Sequence, residues 1–141
     1  MAEDSARSVR LERIGTGRFT VHNARGGQLT IDTGEGTDFT PVELLLAAIG
    51  GCTGIDVDLM TTKKVQPLEF RVDVTGDKIR DENAANRVTN LEVTFTVRFP
   101  EGEAGEAARH RLPSAVKISH DRVCTVSRTV ELGSPIATSL G

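Results

Sequence analysis

The sequence has no tryptophan and no tyrosine, and its aromatic residues are limited to five phenylalanines. The core must therefore be built from valine, leucine, isoleucine and alanine. A chain of this length can bury about two-thirds of its unfolded surface, which is enough for a real core. Internal repeats and linkers long enough to divide domains are also missing. These observations predict one domain spanning residues 1–141.

An excess of positive charge is missing as well. The net charge of −3 argues against a nucleic acid or an anionic membrane as a partner. The segment Met1–Arg10 is polar and lacks the charged and then apolar pattern of a signal peptide. Its first part, Met1–Ala6, is predicted to fray. The expectation is a cytoplasmic protein that does not bind membranes.

Cysteine is scarce, with Cys52 and Cys124 as the two examples. A cytosolic pair is not expected to form a structural disulfide, which leaves catalytic, redox or merely buried roles. The chain has no Cys-x-x-Cys motif, no phosphate-binding loop and no dinucleotide fingerprint. Its histidines, at positions 22, 110 and 120, have no metal-ligand spacing with the cysteines. No cofactor and no metal site are predicted.

The longest apolar stretch, Thr40–Met60, is predicted to form a buried helix. Thr40 is a favourable N-cap, Pro41 suits the first helical position, and Glu43 completes a capping box. Apolar residues then lie on nearly every face, which is typical of a helix that is buried all round. The continuous run Val42–Ile49 is too short to span a bilayer.

Glycines interrupt this helix around Cys52. Gly50, Gly51 and Gly54 each cost about 1 kcal/mol relative to alanine, so the close approach of another backbone is expected there. The helix is predicted to end near Lys63–Lys64, where cations suit the C-terminal dipole.

Alternating polar and apolar residues predict five strands in the first hundred residues. Three short antiparallel strands precede the helix and two longer strands follow it: Ser8–Ile14, Arg18–His22, Gln28–Asp32, Leu68–Thr75 and Val88–Phe99. Polar residues on the second face of the last strand indicate an antiparallel sheet with one solvated face. Because strands and helices do not alternate one by one, the fold class is α+β.

The C-terminal part has helical spacing. Residues Gly102–Arg122 are predicted to form a helix, with a kink or a restart at Pro113. Thr125–Glu131 is predicted to form a short helix ended by Gly133, and Pro135–Leu140 a last edge strand.

Local chemistry leaves the roles of the cysteines open. Cys52 has the surroundings of a small hydrophobic residue on a buried helix, and burial raises a thiol's pKa, so it needs a cation to react. Cys124 is predicted near a helix N-terminus, where the thiolate is favoured. His120 precedes Cys124 by one helical turn if the helix continues, and the alternative is a solvated surface histidine.

Two segments resemble a known family. Thr40–Val57, which contains Cys52, closely resembles the first cysteine helix of the OsmC/Ohr family of osmotically inducible and organic hydroperoxide resistance proteins. Ala115–Ser127, which contains Cys124, resembles the second cysteine segment. The resemblance is greatest to the OsmC-like branch. It implies antiparallel sheets packed on a long buried central helix, in an intertwined homodimer with a thiol site at each subunit boundary.

The resemblance also implies thiol peroxidase chemistry. Cys52 would attack an organic hydroperoxide and become a sulfenic acid, and Cys124 would condense with it to a disulfide. A dithiol reductant, often a lipoylated protein in the peroxidase branches, would restore both thiols. The expected function is organic hydroperoxide reduction in oxidative or osmotic stress defence. The alternative is a non-catalytic ligand-binding or stress-response dimer that retains the scaffold and the cysteines.

The sequence departs from the peroxidase branches at one position. In those branches a glutamate directly follows the helix-opening proline and orients an arginine that holds the thiolate. Aligned on Cys52, that position is Val42, and Glu43 belongs to the capping box. Arg18 is the nearest candidate for the arginine, with an ordinary strand-edge arginine as the alternative. The pKa of Cys52 is therefore expected to lie below that of a free thiol but above that of activated sites.

Overall fold

The computed structural model describes residues 5–141, so most of the predicted frayed segment lies outside the described residues. The chain groups into two compact units, one ending at Leu45 and the other spanning Leu46–Gly141. The boundary falls inside the first helix, α1 (Pro41–Thr61). A single domain for the whole chain stays a prediction.

The first unit is built on a three-stranded antiparallel sheet with strand order β1-β2-β3. The turn between β2 and β3 is closed by Asn23, whose Oδ1 accepts hydrogen bonds from the backbone N–H groups of Arg25 and Gly27. All three predicted strands are confirmed, with boundaries shifted by one or two residues at most: β1 (Arg10–Gly15), β2 (Arg18–His22) and β3 (Gln28–Ile31).

Helix α1 begins as predicted. The Thr40 N–H donates to Glu43 Oε1 at 2.8 Å, and the Glu43 N–H donates to Thr40 Oγ1 at 3.2 Å, which completes the capping box. The helix ends at Thr61, slightly before the predicted lysines. Over its 21 residues α1 is long and apolar enough to cross a membrane, although the run Val42–Ile49 alone is not. Core helices of soluble proteins pass the same test, so α1 is weak evidence for a membrane.

One face of α1 is exposed, so the prediction of burial on every face is wrong for a single chain. The exposed fractions of Ile55 and Leu59 are 63% and 64%. Spacings of one to four residues place the buried positions along one stripe of the helix: Ile49, Gly50, Thr53, Gly54, Val57 and Thr61.

The second unit contains a two-stranded antiparallel sheet formed by β4 (Glu69–Arg80) and β5 (Asn86–Arg98). Both predicted strands are confirmed, and both extend further toward the turn that joins them. The turn is tight because Asp81 Oδ1 accepts hydrogen bonds from the N–H groups of Asn83 and Ala85. Strand pairing therefore continues almost to the turn itself.

The C-terminal helices follow the sheet. Helix α2 (Glu103–Ile118) runs through Pro113, so a restart there is wrong. The proline removes one backbone hydrogen bond, and the remaining hydrogen bonds of α2 keep this turn helical. A five-residue π-helical turn, Ser119–Val123, leads into α3 (Thr125–Leu132). The predicted short helix is confirmed, as is its end at Gly133 (φ 76°).

The predicted last edge strand is wrong. Residues 135–140 have no regular secondary structure, and Ile136 and Leu140 are 92% and 99% exposed. Neither sheet of the described chain pairs with this segment. Alternation of apolar residues is not sufficient for a strand when no sheet edge accepts its hydrogen bonds.

Candidate functional site

The candidate site lies where α1 approaches the start of α3. Cys52 is half-buried on α1, and Cys124, just before α3, is completely buried. The two sulfur atoms and a carboxylate oxygen of Asp56 all lie within 4.8 Å of one another. The two sequence-predicted cysteines therefore meet within one chain, although they are 72 positions apart in the sequence.

The start of α3 supplies hydrogen bonds to both sulfur atoms. Cys124 is the N-cap of the helix, and its Sγ accepts a hydrogen bond from the Ser127 N–H at 3.3 Å. Its thiol donates to Ser127 Oγ at 3.1 Å. The backbone of Val126 hydrogen-bonds Cys52 and acts to lower its pKa. Both sulfurs therefore lie at the positive end of α3, where negative charge is favoured.

The π-helical turn places Cys124 at this position. The Cys124 N–H donates to the Ser119 carbonyl at 2.8 Å, across five residues rather than four. Cys124 then adopts an extended backbone with ψ of 99°, which ends one helix and begins the next. The extra residue in the turn thus rotates the cysteine out of the α2 register.

The Cys52 thiol has a raised pKa. Burial is the largest cause, and the hydrogen bond and the charge of Cys124 and the negative charge of Asp56 raise the pKa further, against the bond from Val126. Within residues 46–141, none of the groups that shift this pKa is a cation. The sequence-based expectation of a pKa below that of a free thiol is therefore wrong for the surroundings that the second unit provides.

A chain of hydroxyl groups fixes Asp56. The Ser119 hydroxyl is completely buried and donates to Asp56 Oδ2 at 2.8 Å. Because that donation uses the only proton of Ser119, the Thr53 hydroxyl must donate to Ser119 Oγ, which is also 2.8 Å away. Sequence reasoning missed these residues. Asp56 lies one helical turn after Cys52, a spacing that could have revealed it, whereas Ser119 had no sequence signal.

His120 is the solvated histidine that the sequence offered as an alternative. Its ring is 57% exposed, with Nδ1 2.9 Å from Asp121 and Nε2 3.1 Å from Glu131. These two carboxylates raise the His120 pKa. In turn, Lys117 and His120 lower the pKa of Asp121 to about 2. Because a π-helical turn separates His120 from Cys124, the one-turn relation expected for a continuous α-helix is not formed.

Comparison with models of known protein families identifies the family of this chain. The model for OsmC-like proteins matches residues 34–139, which include both cysteines and every helix. The chain belongs to the OsmC-like family. The resemblance noted in the sequence is thereby confirmed.

Relatives of this OsmC-like protein extend over most of the chain. An uncharacterized protein of Mycobacterium tuberculosis is 29% identical over 129 residues, which cover 89% of this chain and 90% of that protein. The protein YhfA of Escherichia coli is 30% identical over 115 residues, with coverages of 80% and 81%.

Solved structures confirm the fold class. An OsmC-like protein of unknown function from Vibrio cholerae superposes with a TM-score of 0.73 at 14% identity, covering 90% of this chain and 94% of that one. The organic hydroperoxide resistance protein OhrB of Bacillus subtilis superposes with a TM-score of 0.55 at 15% identity, with coverages of 88% and 90%. At these identities the likeness concerns the fold alone.

Arg18 of this OsmC-like protein lies at the start of β2, in the first unit. Its guanidinium is 3.3 Å from Asp38 Oδ2, and the two side chains are 50% and 38% exposed. An ion pair of such exposure is worth about 0–1 kcal/mol, so the arginine can leave Asp38 at little cost. Its role as an activating cation stays a prediction.

A small apolar pocket lies next to the cysteine site. It has a volume of about 260 Å³, and its polar lining includes Thr53 of the hydroxyl chain and Ser127 of the Cys124 cap. Its remaining walls come from α1, β5 and the C-terminal helices: Ile49, Leu91, Val93, Phe95, Val116, His120, Val130 and Glu131. The pocket can accept a compact apolar group beside the residues that hold the sulfurs.

Proposed function

We propose that this OsmC-like protein is a thiol-dependent peroxidase that reduces organic hydroperoxides in oxidative or osmotic stress defence. The observation that carries the proposal is the distance of at most 4.8 Å between the sulfur atoms of Cys52 and Cys124. A disulfide requires about 2.05 Å between the sulfurs, so side-chain rotations must close less than about 3 Å. The structural neighbour OhrB is named an organic hydroperoxide resistance protein, and this name supports organic hydroperoxides as the class of substrate.

Burial suggests the order of reaction. Cys52 is half-buried and Cys124 is completely buried, so a peroxide reaches Cys52 first. The Cys52 thiolate attacks the hydroperoxide, the O–O bond breaks, and after protonation an alcohol leaves and a sulfenic acid remains. The Cys124 thiol then condenses with the sulfenic acid, which forms a disulfide and releases water. A dithiol, such as the reduced lipoyl group of a protein, returns both cysteines to thiols and is itself oxidised to a disulfide.

One observation favours the non-catalytic alternative. The raised pKa of Cys52 keeps more of its thiol protonated, and protonated thiols are poor nucleophiles. Together with the adjacent apolar pocket, this arrangement would also suit a ligand-binding protein that does not turn over peroxide. The two readings differ in whether Cys52 oxidises faster than a free thiol.

A turnover assay with cumene hydroperoxide and dihydrolipoamide tests the peroxidase. When the dithiol is left out, wild type should lose two cysteine thiols per peroxide consumed and give a peptide that cross-links positions 52 and 124. Cys52→Ser should abolish turnover. Cys124→Ser should retain one rapid reaction and leave a sulfenic acid that dimedone traps. If Cys124 oxidises while Cys52 stays intact, the roles are reversed. If neither reacts faster than a free thiol, the binding alternative holds.

The activating cation can be tested separately. If Arg18 holds the Cys52 thiolate, Arg18→Ala should slow the single-turnover reaction with peroxide at neutral pH. Arg13→Ala is a matched control, because Arg13 lies on the neighbouring strand β1 and donates a hydrogen bond to the nearby Thr16 hydroxyl at 3.3 Å. Equal rates in the two variants would remove Arg18 from the mechanism.

A homodimer is the second part of the proposal. An open groove of about 610 Å³ lies between α1 and β4, and Gly51, Ile55 and Phe70 are among its lining residues. A single chain leaves this apolar surface in water, and a second copy could cover it. Sedimentation velocity at micromolar concentration should detect a dimer. A stable, folded monomer would contradict the proposal.

A further inference from the structure

Three side chains that can bind a metal ion meet at the cysteine site when both thiols are reduced: Cys52, Asp56 and Cys124. We propose that these three residues bind one soft divalent metal ion, such as Zn²⁺, within a single chain. Their ligand atoms lie within 4.8 Å of one another. Ligands about 2.3 Å from zinc at a tetrahedral angle are about 3.8 Å apart, so small rotations of the side chains suffice.

The elements that carry the ligands favour such a site. Cys52 and Asp56 lie one turn apart on the same face of α1, and Cys124 approaches from the start of α3. The buried Ser119 hydroxyl donates to Asp56 Oδ2 and leaves the other carboxylate oxygen for the ion. Hydrogen bonds of this kind orient metal ligands in proteins. Cys52 and Asp56 are half-buried, which gives an ion access.

The ligand types determine which ion binds. Two thiolates and one carboxylate suit Zn²⁺ or Co²⁺, whereas Mg²⁺ prefers oxygen ligands alone. Binding releases one proton from each thiol and transfers no electron. Three protein ligands leave a fourth position for water. Because the ion binds the sulfurs as thiolates and an S–S bond consumes both thiolates, the metal-bound form and the disulfide form exclude each other.

Anaerobic titration of the reduced full chain with Co²⁺ tests the site. We expect thiolate-to-cobalt charge-transfer absorption and tetrahedral d–d bands that saturate at one ion per chain. Zn²⁺ should displace the cobalt, and excess Mg²⁺ should not. Asp56→Asn and Ser119→Ala should each weaken binding by about tenfold or more. Asp58→Asn should leave it unchanged, because Asp58 is an exposed carboxylate on the same helix.

Three results would overturn the site: no charge-transfer band, saturation at one ion per two chains, or equal affinity in the Asp56→Asn and Asp58→Asn variants. If the Asp56 variant does not fold, wild type provides a second measurement. Zn²⁺ should slow alkylation of Cys52, the half-buried thiol, by at least about tenfold relative to chelator-treated protein, and an unchanged rate would contradict the proposal. None of these measurements depends on peroxidase activity.

Discussion

Gly50 and Gly51 are adjacent on α1 but have different surroundings. A Cβ atom added to Gly50 would lie 2.6 Å from Val74 Cγ2, whereas a Cβ atom at Gly51 would have no such neighbour within 4 Å among residues 5–141. Alanine should favour the helix by about 1 kcal/mol at either position. Gly50→Ala also overpacks the contact with β4, which costs about 1–3 kcal/mol. The helix gain cancels between the variants, so Gly50→Ala should be the less stable by about 1–3 kcal/mol.

Urea unfolding followed by far-ultraviolet circular dichroism measures this difference. The chain has no tryptophan or tyrosine, so intrinsic fluorescence is a poor probe. Val74→Ala removes the methyl groups that the new Cβ would strike, and it should restore part of the lost stability in the Gly50→Ala background. If Gly50→Ala is instead more stable than wild type by the full helix gain of about 1 kcal/mol, the packing of α1 on β4 is refuted.

The Gly51 variant also reports on the proposed dimer. In a single chain, Gly51→Ala should raise the free energy of unfolding by about 1 kcal/mol, because nothing opposes the added methyl group. If a second copy packs against this face, Gly51→Leu should weaken assembly through overpacking. Sedimentation of Gly51→Leu at several concentrations distinguishes the cases. Unchanged association would place the dimer interface elsewhere.

Three further predictions concern single side chains. Asp56→Asn removes a negative charge that raises the Cys52 pKa, so in metal-free protein iodoacetamide should alkylate Cys52 faster at neutral pH than in Asp58→Asn; equal rates would contradict this. Asp121 and Glu131 raise the His120 pKa, so its stabilising contribution is complete below the ordinary value of about 6.5 and is lost as pH rises through the higher folded value. The difference in unfolding free energy between wild type and His120→Gln should therefore be larger at about pH 5.5 than at about pH 8.5, and a constant difference would argue against it. Gly105→Ala would place a Cβ atom 1.8 Å from the Pro100 carbonyl oxygen, so the free energy of unfolding should fall by at least about 3 kcal/mol, as measured by thermal unfolding. An unfolding midpoint close to that of wild type would contradict this prediction.

The sequence predicts correctly those features that depend on short local patterns. The capping box at Thr40 and Glu43 is observed as predicted because its two hydrogen bonds depend on a four-residue pattern. Cys124 lies at the N-terminus of α3, as expected, and Gly133 ends that short helix. The order of the strands also follows from their alternation and turns.

Other features depend on contacts that periodicity does not reveal. The segment 135–140 alternates like a strand, but no sheet edge is available to it in the described chain. The hydrogen bond between Ser119 and Asp56 joins residues 63 positions apart, so it depends on the packing of the π-helical turn against α1. The sequence did not predict that α1 is buried on one face alone, because its apolar residues occupy both the buried and the exposed face. Nothing in its composition distinguishes the two faces.

The start of α3 connects the redox state of the cysteines to the end of the chain. Reduced sulfurs accept hydrogen bonds from the backbone N–H groups of Val126 and Ser127. Formation of the proposed disulfide moves both sulfurs and removes the proton that the Cys124 thiol donates to Ser127 Oγ, so it would leave the first turn of α3 with less capping. The eight-residue helix and the exposed segment after it would then open more often in the oxidised protein. The order of this short surface helix would therefore differ between the dithiol and disulfide forms of the protein.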